Sequence, residues 1–404
     1  MPDRRMWIIF LIVFVNLLGF GIILPLMPYY VESLGAGALT IGLLSASYSL
    51  FQLLSAPILG ELSDKIGRRP VLLFSLAGTA ISFLLLGIAN TIPLLFAARI
   101  IDGLSGGNIS TAQAYIADIT SKENRTQGMG ILAAAFSLGF ILGPALGGIL
   151  SRFGYGVPAL VAAAVSLLAT VLTFFFLPES RDFSKNIAAF TKNKKKFFTP
   201  KEFYEVLTHP EVGLIVCLSF LVMFAFSLME GTFALFTEHI LHSTAQQNGY
   251  LFAYLGLIGI IIQLFGLRII LKKLPEHTIA TIGIFLMAIS LGLIALSGSM
   301  MALFVALTFL AFGNSVANPV LYGLVSRLSP DDEQGNILGI SQSVASIARL
   351  IGPVLGTYLY GSLGARVPYI FATTLMVITG AISARYLRTK PATHKAAASG
   401  MLSH

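Results

Sequence analysis

Twelve apolar runs succeed one another along this chain, each near the ~20 residues that a helix needs to cross ~30 Å of hydrocarbon. They lie at about 6 to 29, 40 to 60, 70 to 90, 93 to 117, 129 to 151 and 157 to 177, then 212 to 237, 248 to 271, 278 to 297, 301 to 326, 337 to 361 and 367 to 387. In lipid every backbone polar group must find a partner within the protein, so only helices and closed barrels can span. The runs carry Gly and Pro freely and lack the strict alternation of a membrane barrel, which leaves an all-α membrane protein of twelve transmembrane helices. Composition agrees: 56% of residues are hydrophobic and 11% charged, against roughly a quarter charged in soluble chains. The first run follows Arg4 and Arg5 but is too long for a secretory signal and lacks a small-residue cleavage site, so it reads as a retained helix. The single cysteine, Cys217, excludes an intramolecular disulfide.

Lys and Arg fix the orientation. Arg4, Arg5, Lys65, Arg68, Arg69, Lys122, Arg125, the run Lys192 to Lys196, Lys272, Lys273, Arg327, Arg388 and Lys390 share one side under an even helix count, with Arg152 and Arg366 on the other. The positive-inside rule therefore expects both termini in the cytoplasm of a plasma (inner) membrane. The net charge of +8 is explained by this bias and calls for no nucleic acid.

An internal repeat divides the chain. Gly107-Asn108, Tyr115, Gln127-Gly128 and Gly143-Pro144-Ala145-Leu146-Gly147 recur as Gly313-Asn314, Tyr322, Gln334-Gly335 and Gly352-Pro353-Val354-Leu355-Gly356. Pro178 to Pro210 between them is polar and Lys-rich. The expected domains are a six-helix bundle over 1–180, a cytoplasmic linker over 181–210 and a second, pseudo-symmetric six-helix bundle over 211–404, with a substrate site near midmembrane between the bundles. The Lys192 to Lys196 cluster with Phe190, Phe197 and Phe198 reads as a solvated tether or as a contact for anionic lipid headgroups.

Between the second and third runs stands Gly60-Glu61-Leu62-Ser63-Asp64-Lys65-Ile66-Gly67-Arg68-Arg69-Pro70. Such a dense polar turn holds two spans close, where a few ion pairs could lock or release them. It resembles the G-x-L-x-D-x-x-G-R-R signature of the major facilitator superfamily, matched by Gly60, Leu62, Asp64, Gly67, Arg68 and Arg69. Further signatures are similar to the twelve-helix drug:proton antiporter branch, which includes tetracycline and multidrug exporters. Leu18-Gly19 with Pro25 and Pro28 stand in the first span, Arg99, Asp102-Gly103 and Gly106-Gly107 in the fourth, and Gly139, Gly143-Pro144 and Gly147-Gly148 in the fifth. The resemblance implies that Asp64 faces the start of the eleventh span and that Arg68 pairs with Asp118, holding an outward-facing state. Asn16 stands where some drug antiporters carry Asp, a departure from tetracycline-like metal-drug exchange. The second copy of the turn, near Gly266, Arg268 and Lys272-Lys273, lacks the Asp, so the latch is expected to act from the first half.

The glycines of the fifth span have their own rationale. Gly139, Gly143 and Gly147 recur at i, i+4, i+8 and let a neighbouring backbone approach, while Pro144 removes a helix hydrogen bond. This serves either ordinary packing or the rocking of the helix.

Charges within the spans need explanation, because each costs about 2.5–3.5 kcal/mol on insertion scales. Arg99 and Asp102 are at i, i+3 and can pair, as a structural neutralisation or a proton relay. Glu230, in the seventh span, has no basic neighbour in sequence and is the leading proton-coupling candidate, the alternative being a satisfied glutamate at a cavity rim. Arg349 is its expected partner, or an anchor for an anionic substrate. Tyr48, Gln52, Asn108, Gln113, Tyr115, Tyr254, Gln263, Asn314, Asn318 and Tyr322 are the expected cavity-lining polar groups, many of them expected to be simple helix contacts. His239 and His242 beside Glu238 read as solvated interface residues rather than a metal site.

No nucleotide-binding loop or nucleophile constellation occurs, so no enzymatic activity, cofactor or metal is expected. The expected function is secondary transport: monomeric, driven by the proton gradient, surrounded by membrane lipids and exporting small amphipathic molecules by alternating access. The rival readings are a carrier of sugars, metabolites or lipids on the same scaffold, and a non-transporting membrane receptor.

Overall fold

The structure, a computed structural model, describes residues 4–121, 125–180, 200–329 and 334–386, and among them every regular element is helical. The first half comprises α1 (Arg4–Ile23), α2 (Met27–Ser33), α3 (Ala38–Ile66), α4 (Arg68–Gly87), α5 (Ile92–Ser105), α6 (Asn108–Ile119), α7 (Arg125–Leu150) and α8 (Val157–Phe176). After the short α9 (Pro200–Thr208) come α10 (Val212–Leu241), α11 (Ala245–Ile261), α12 (Leu267–Lys273), α13 (Glu276–Leu296), α14 (Met300–Leu328), α15 (Gln334–Leu363) and α16 (Val367–Tyr386).

Eleven helices among the described residues are long and apolar enough to cross a membrane. The remaining run, the fourth, is divided into α5 and α6 at Gly106-Gly107. The glycines serve close approach here. A Cβ on Gly103 would meet the Tyr48 carbonyl, and one on Gly107 would meet the Ala56 backbone, both on α3. Side chains of α3 take up backbone groups near the break: Gln52 donates to the Gly106 carbonyl (3.2 Å) and Ser55 to that of Gly103 (3.0 Å). The first span is likewise interrupted, between α1 and α2, where Pro25 lacks the N–H that would continue the helix. The eighth span carries a π-turn, Ile262–Gly266, between α11 and α12.

The helices sort into two groups with the same internal pairing. In the first, α1 packs on α7, and α4 on α5 and α8; in the second, α10 packs on α15, and α13 on α14 and α16. The groups meet along α3 against α15 and α7 against α11. Large apolar side chains such as Phe74, Phe175, Leu296 and Met301 remain outside, as a hydrocarbon solvent requires.

Within the polar linker, Pro200–Thr208 forms α9, whose Val206 is buried and which packs back onto the start of α10. The Lys192 to Lys196 cluster lies outside the described residues, as do Lys122, Arg388 and Lys390.

Candidate functional site

Three sets of residues are candidates: one central, one at the end where α1 begins and α16 ends, called inner below, and one at the opposite end, called outer. Centrally, Arg99 and Asp102 pair at 2.8 Å on α5, both almost fully buried. The Arg99 guanidinium also lies 4.3 Å from the centre of the Tyr48 ring on α3, a stacking contact suited to its planar, weakly hydrated cation. Tyr48 accepts a 2.9 Å hydrogen bond from Gln52. Across the interface, Arg349 of α15 lies within electrostatic range of both the Tyr48 hydroxyl and Glu230 of α10. Its guanidinium donates to Ser346 (3.0 Å). A chain of polar groups thus runs from Asp102 through Arg99, Tyr48 and Arg349 to Glu230, crossing from one bundle to the other. Asp102 has its cation in contact, the arrangement that makes a buried carboxylate tolerable, whereas Arg349 acts on Glu230 across a longer distance.

The other expected cavity residues separate. Gln113 and Tyr322 are exposed, as is Gln263 on the π-turn. Tyr254 is half-buried and bonds Thr308 (2.7 Å), while Asn318 donates to Asn314 one turn earlier (2.6 Å). Two placements differ from the expectation. Tyr115 is fully buried inside the first bundle, with its hydroxyl donating to the Pro178 carbonyl (2.8 Å), and lines no cavity. Asn108 is also fully buried, accepting from Asn16 on α1 (2.7 Å). Both lie on α6, where helical periodicity alone does not say which face turns to the interface.

At the inner end Arg68 gathers three acceptors: Asp64 (2.7 Å), Ser63 (2.5 Å) and Asp118 at the end of α6 (3.2 Å). Ser63 in turn donates to the Gly60 carbonyl (2.8 Å). A Cβ on Gly60 would meet nothing, so this state imposes no need for glycine there. Gly67 differs: its φ of +106° is costly for any side chain, and a Cβ would run into the Glu179 carboxylate. Glu179, absent from the sequence expectations, accepts from the backbone N–H groups of Arg68 (2.9 Å) and Arg69 (3.0 Å). It caps α4 from the end of the sixth span, because the glycine at the N-cap has no side chain to do so. Arg69 reaches the Phe174 carbonyl (2.5 Å). The opening turn of α15, the expected partner of Asp64, lies among residues whose side chains are not described.

The second copy of this turn lacks the Asp, and the latch is expected to act mainly from the first half. At the second copy Glu276, at the start of α13, forms an ion pair with Arg327, at the end of α14. This matches the position of Arg68 and Asp118 with the charges exchanged. Composition at the turn alone hid it, because one partner comes from a different span.

Two outcomes are expected at the inner turn. Asp64→Asn removes a half-exposed i, i+4 pair worth about 0.3–0.5 kcal/mol, so membrane abundance should stay normal while transport falls; unchanged transport would remove Asp64 from gating. Glu179→Ala should lower thermal stability by about 1–2 kcal/mol through loss of the cap, with Glu179→Gln recovering part of it.

At the outer end the Gly-Pro motifs face two ways. Gly143 and Gly147 pack on α1 at Leu18, Gly21 and Ile22, whereas Gly148 and the Pro144 carbonyl meet Gly249 of α11 in the other bundle. The repeat does the same: Gly352 and Gly356 pack on Ser227 and Leu228 of α10, and the Pro353 carbonyl meets Gly42 of α3. Gly139 also lies against α1, at Leu17 and Leu18. The motif is therefore both a packing seam within each bundle and the contact between bundles. Polar contacts close the same end: Tyr29 donates to the Ser243 carbonyl (2.7 Å) and accepts from Asn248, Arg152 donates to Gln246 (2.7 Å), and His239 meets Glu32 at 3.3 Å. His239 is thus engaged between the bundles, not simply solvated. His242 caps α10 in the left-handed conformation, and no group of three metal-ligating side chains occurs among the described residues.

Comparison with known proteins places this geometry in context. The profile of the Major Facilitator Superfamily matches residues 9–300 and 270–402. The chain is 30% identical to a class E tetracycline resistance protein of Escherichia coli over 89% of each chain. It is 27% identical to multidrug resistance protein 2 of Bacillus subtilis (strain 168) over 91% of each. The crystal structure of the human organic anion transporter MFSD10 (TETRAN) is similar at 26% identity and a TM-score of 0.67, covering 95% of this chain and all of that one.

Proposed function

The chain belongs to the Major Facilitator Superfamily, and on that premise we propose that it exports small amphipathic molecules in exchange for protons. Membership makes it a membrane transporter rather than an enzyme. The single observation that carries the coupling is the polar series from Asp102 to Glu230, in which Asp102 pairs with Arg99 in one bundle and Glu230 lies within electrostatic range of Arg349 in the other. In this reading protons entering from outside occupy Glu230, with Asp102 as a second carrier, while substrate leaves. Arg349 then alternates between Glu230 and the substrate, since protonation of the acid frees the cation. The drug-resistance relatives favour amphipathic substrates.

The outer seam is closed in this structure, and in this reading the central residues are reached from the opposite end. We place that side in the cytoplasm on the Lys and Arg bias, in the plasma membrane of the cell, with the monomer as the transporting unit and the proton gradient in place of any cofactor. The Arg68 contacts are already formed with the outer seam closed, so locking of the alternate state would fall to the contact of Asp64 with the start of α15, and the fifth-span glycines would let the bundles rock. The neutral Asn16–Asn108 pair argues against a metal-drug complex as cargo.

A thermal-shift screen of the purified transporter across cationic and anionic drugs, sugars and lysolipids tests the substrate class. Stabilisation by amphipathic drugs, with sugars and lysolipids silent, is expected. Selective stabilisation by sugars or lysolipids would transfer the chain to the carrier reading, and selective stabilisation by anions would assign Arg349 as the anchor.

A further inference from the structure

We propose that the outer seam holds a second proton-binding site, formed by Glu32, Glu238 and His239, which takes up a proton as the seam closes and makes the closed state sensitive to external pH. Glu32 lies in the last turn of α2, and Glu238 and His239 near the end of α10, so the cluster is assembled only where the two bundles meet.

The hydrogen positions are constrained by the neighbours. The Tyr360 hydroxyl donates to the Leu235 carbonyl (3.0 Å), so its contact with His239 Nδ1 (2.8 Å) must be one it accepts. Nδ1 therefore carries a proton. The opposite nitrogen, Nε2, faces Glu32 Oε1 at 3.3 Å. That contact is favourable only with a proton between the two atoms, as imidazolium against carboxylate or as imidazole against carboxylic acid. The Glu238 carboxyl lies within hydrogen-bonding reach of Glu32 as well. Its Oε2 is shielded from solvent with no donor aimed at it. Two ionised carboxylates so placed repel each other, whereas one shared proton turns the contact into a hydrogen bond.

The remaining titratable groups facing the pair are Tyr29 of α2, Tyr155 ahead of α8 and Tyr360 of α15. These add no positive charge. Arg152, on the turn before α8, is engaged by Gln246. When the bundles part at this end, Glu32 and Glu238 hydrate separately and the shared proton returns to the outside solution. The closed seam thus binds at least one more proton than the open one. The sign follows: lowering external pH raises the closed population, by up to about tenfold per pH unit for one proton. Because that proton leaves by the side it entered, the site gates transport and does not drive it, in contrast to Glu230.

The test needs no substrate, so its failure is separable from failure of the export reading. In nanodiscs, on a Cys217→Ser background, spin labels at Phe153→Cys and Gly298→Cys report the outer separation by pulsed electron paramagnetic resonance. Between pH 8 and pH 6 the short-distance population should rise several-fold. Glu238→Gln should hold it high at both values, and Glu230→Gln should retain the wild-type response. Should Glu238→Gln fail to fold, Glu32→Gln gives the same reading. A wild-type distribution that ignores pH, or a full pH response in either carboxyl variant, overturns the proposal.

Discussion

Glu230→Gln is expected to abolish pH-gradient-driven efflux while leaving substrate binding and downhill exchange in place. The amide keeps the shape and hydrogen-bonding capacity of a protonated glutamate but cannot release a proton. Arg349 would then lack its ionised partner throughout the cycle, and the step that depends on re-forming that pair would be lost. In everted vesicles this reads as efflux at background under an imposed gradient, with counterflow of labelled substrate retained. Full gradient-driven efflux in the variant would exclude Glu230 as the coupling acid. Glu230→Asp, which retains the charge at a shorter reach, should recover part of the activity.

The second large effect concerns folding. Arg99→Leu strands Asp102, which is 3% exposed, without its partner at 2.8 Å. Removing one member of a buried ion pair costs about 3–5 kcal/mol, so the variant should accumulate poorly or melt well below wild type. The double variant Arg99→Leu with Asp102→Asn should recover much of the loss, since the uncompensated charge is gone. If the single variant is as stable as wild type, Asp102 is held neutral by another means and the pair is not structural. If the double variant is stable and still couples protons, Asp102 is no carrier and Glu230 acts alone.

The parts of this molecule legible in the sequence are those that the bilayer dictates. Length and apolarity fix eleven helices and the fourth, divided run, since lipid admits few alternatives. The repeated Gly-Pro motif was readable as close packing because glycine spacing directly sets which backbone can approach. The i, i+3 spacing of Arg99 and Asp102 likewise carries its own geometry. What escaped depends on partners far along the chain. Glu179 caps a helix that begins 111 residues earlier, and Glu276 pairs with a residue at the end of the next span. Glu32 and Glu238 lie more than 200 residues apart in sequence and come together only through the fold.

Proton flux accompanying substrate flux in proteoliposomes tests the central claim most directly. With no imposed pH gradient and a substrate identified by the thermal-shift screen, an outward substrate gradient should acidify the compartment the substrate leaves, as a pH-sensitive dye inside reports. Glu230→Gln should show neither net substrate flux nor a pH change while retaining counterflow. Downhill substrate movement by the wild-type protein with the internal pH unaltered would contradict proton exchange, whatever the stability of the Glu230 variant.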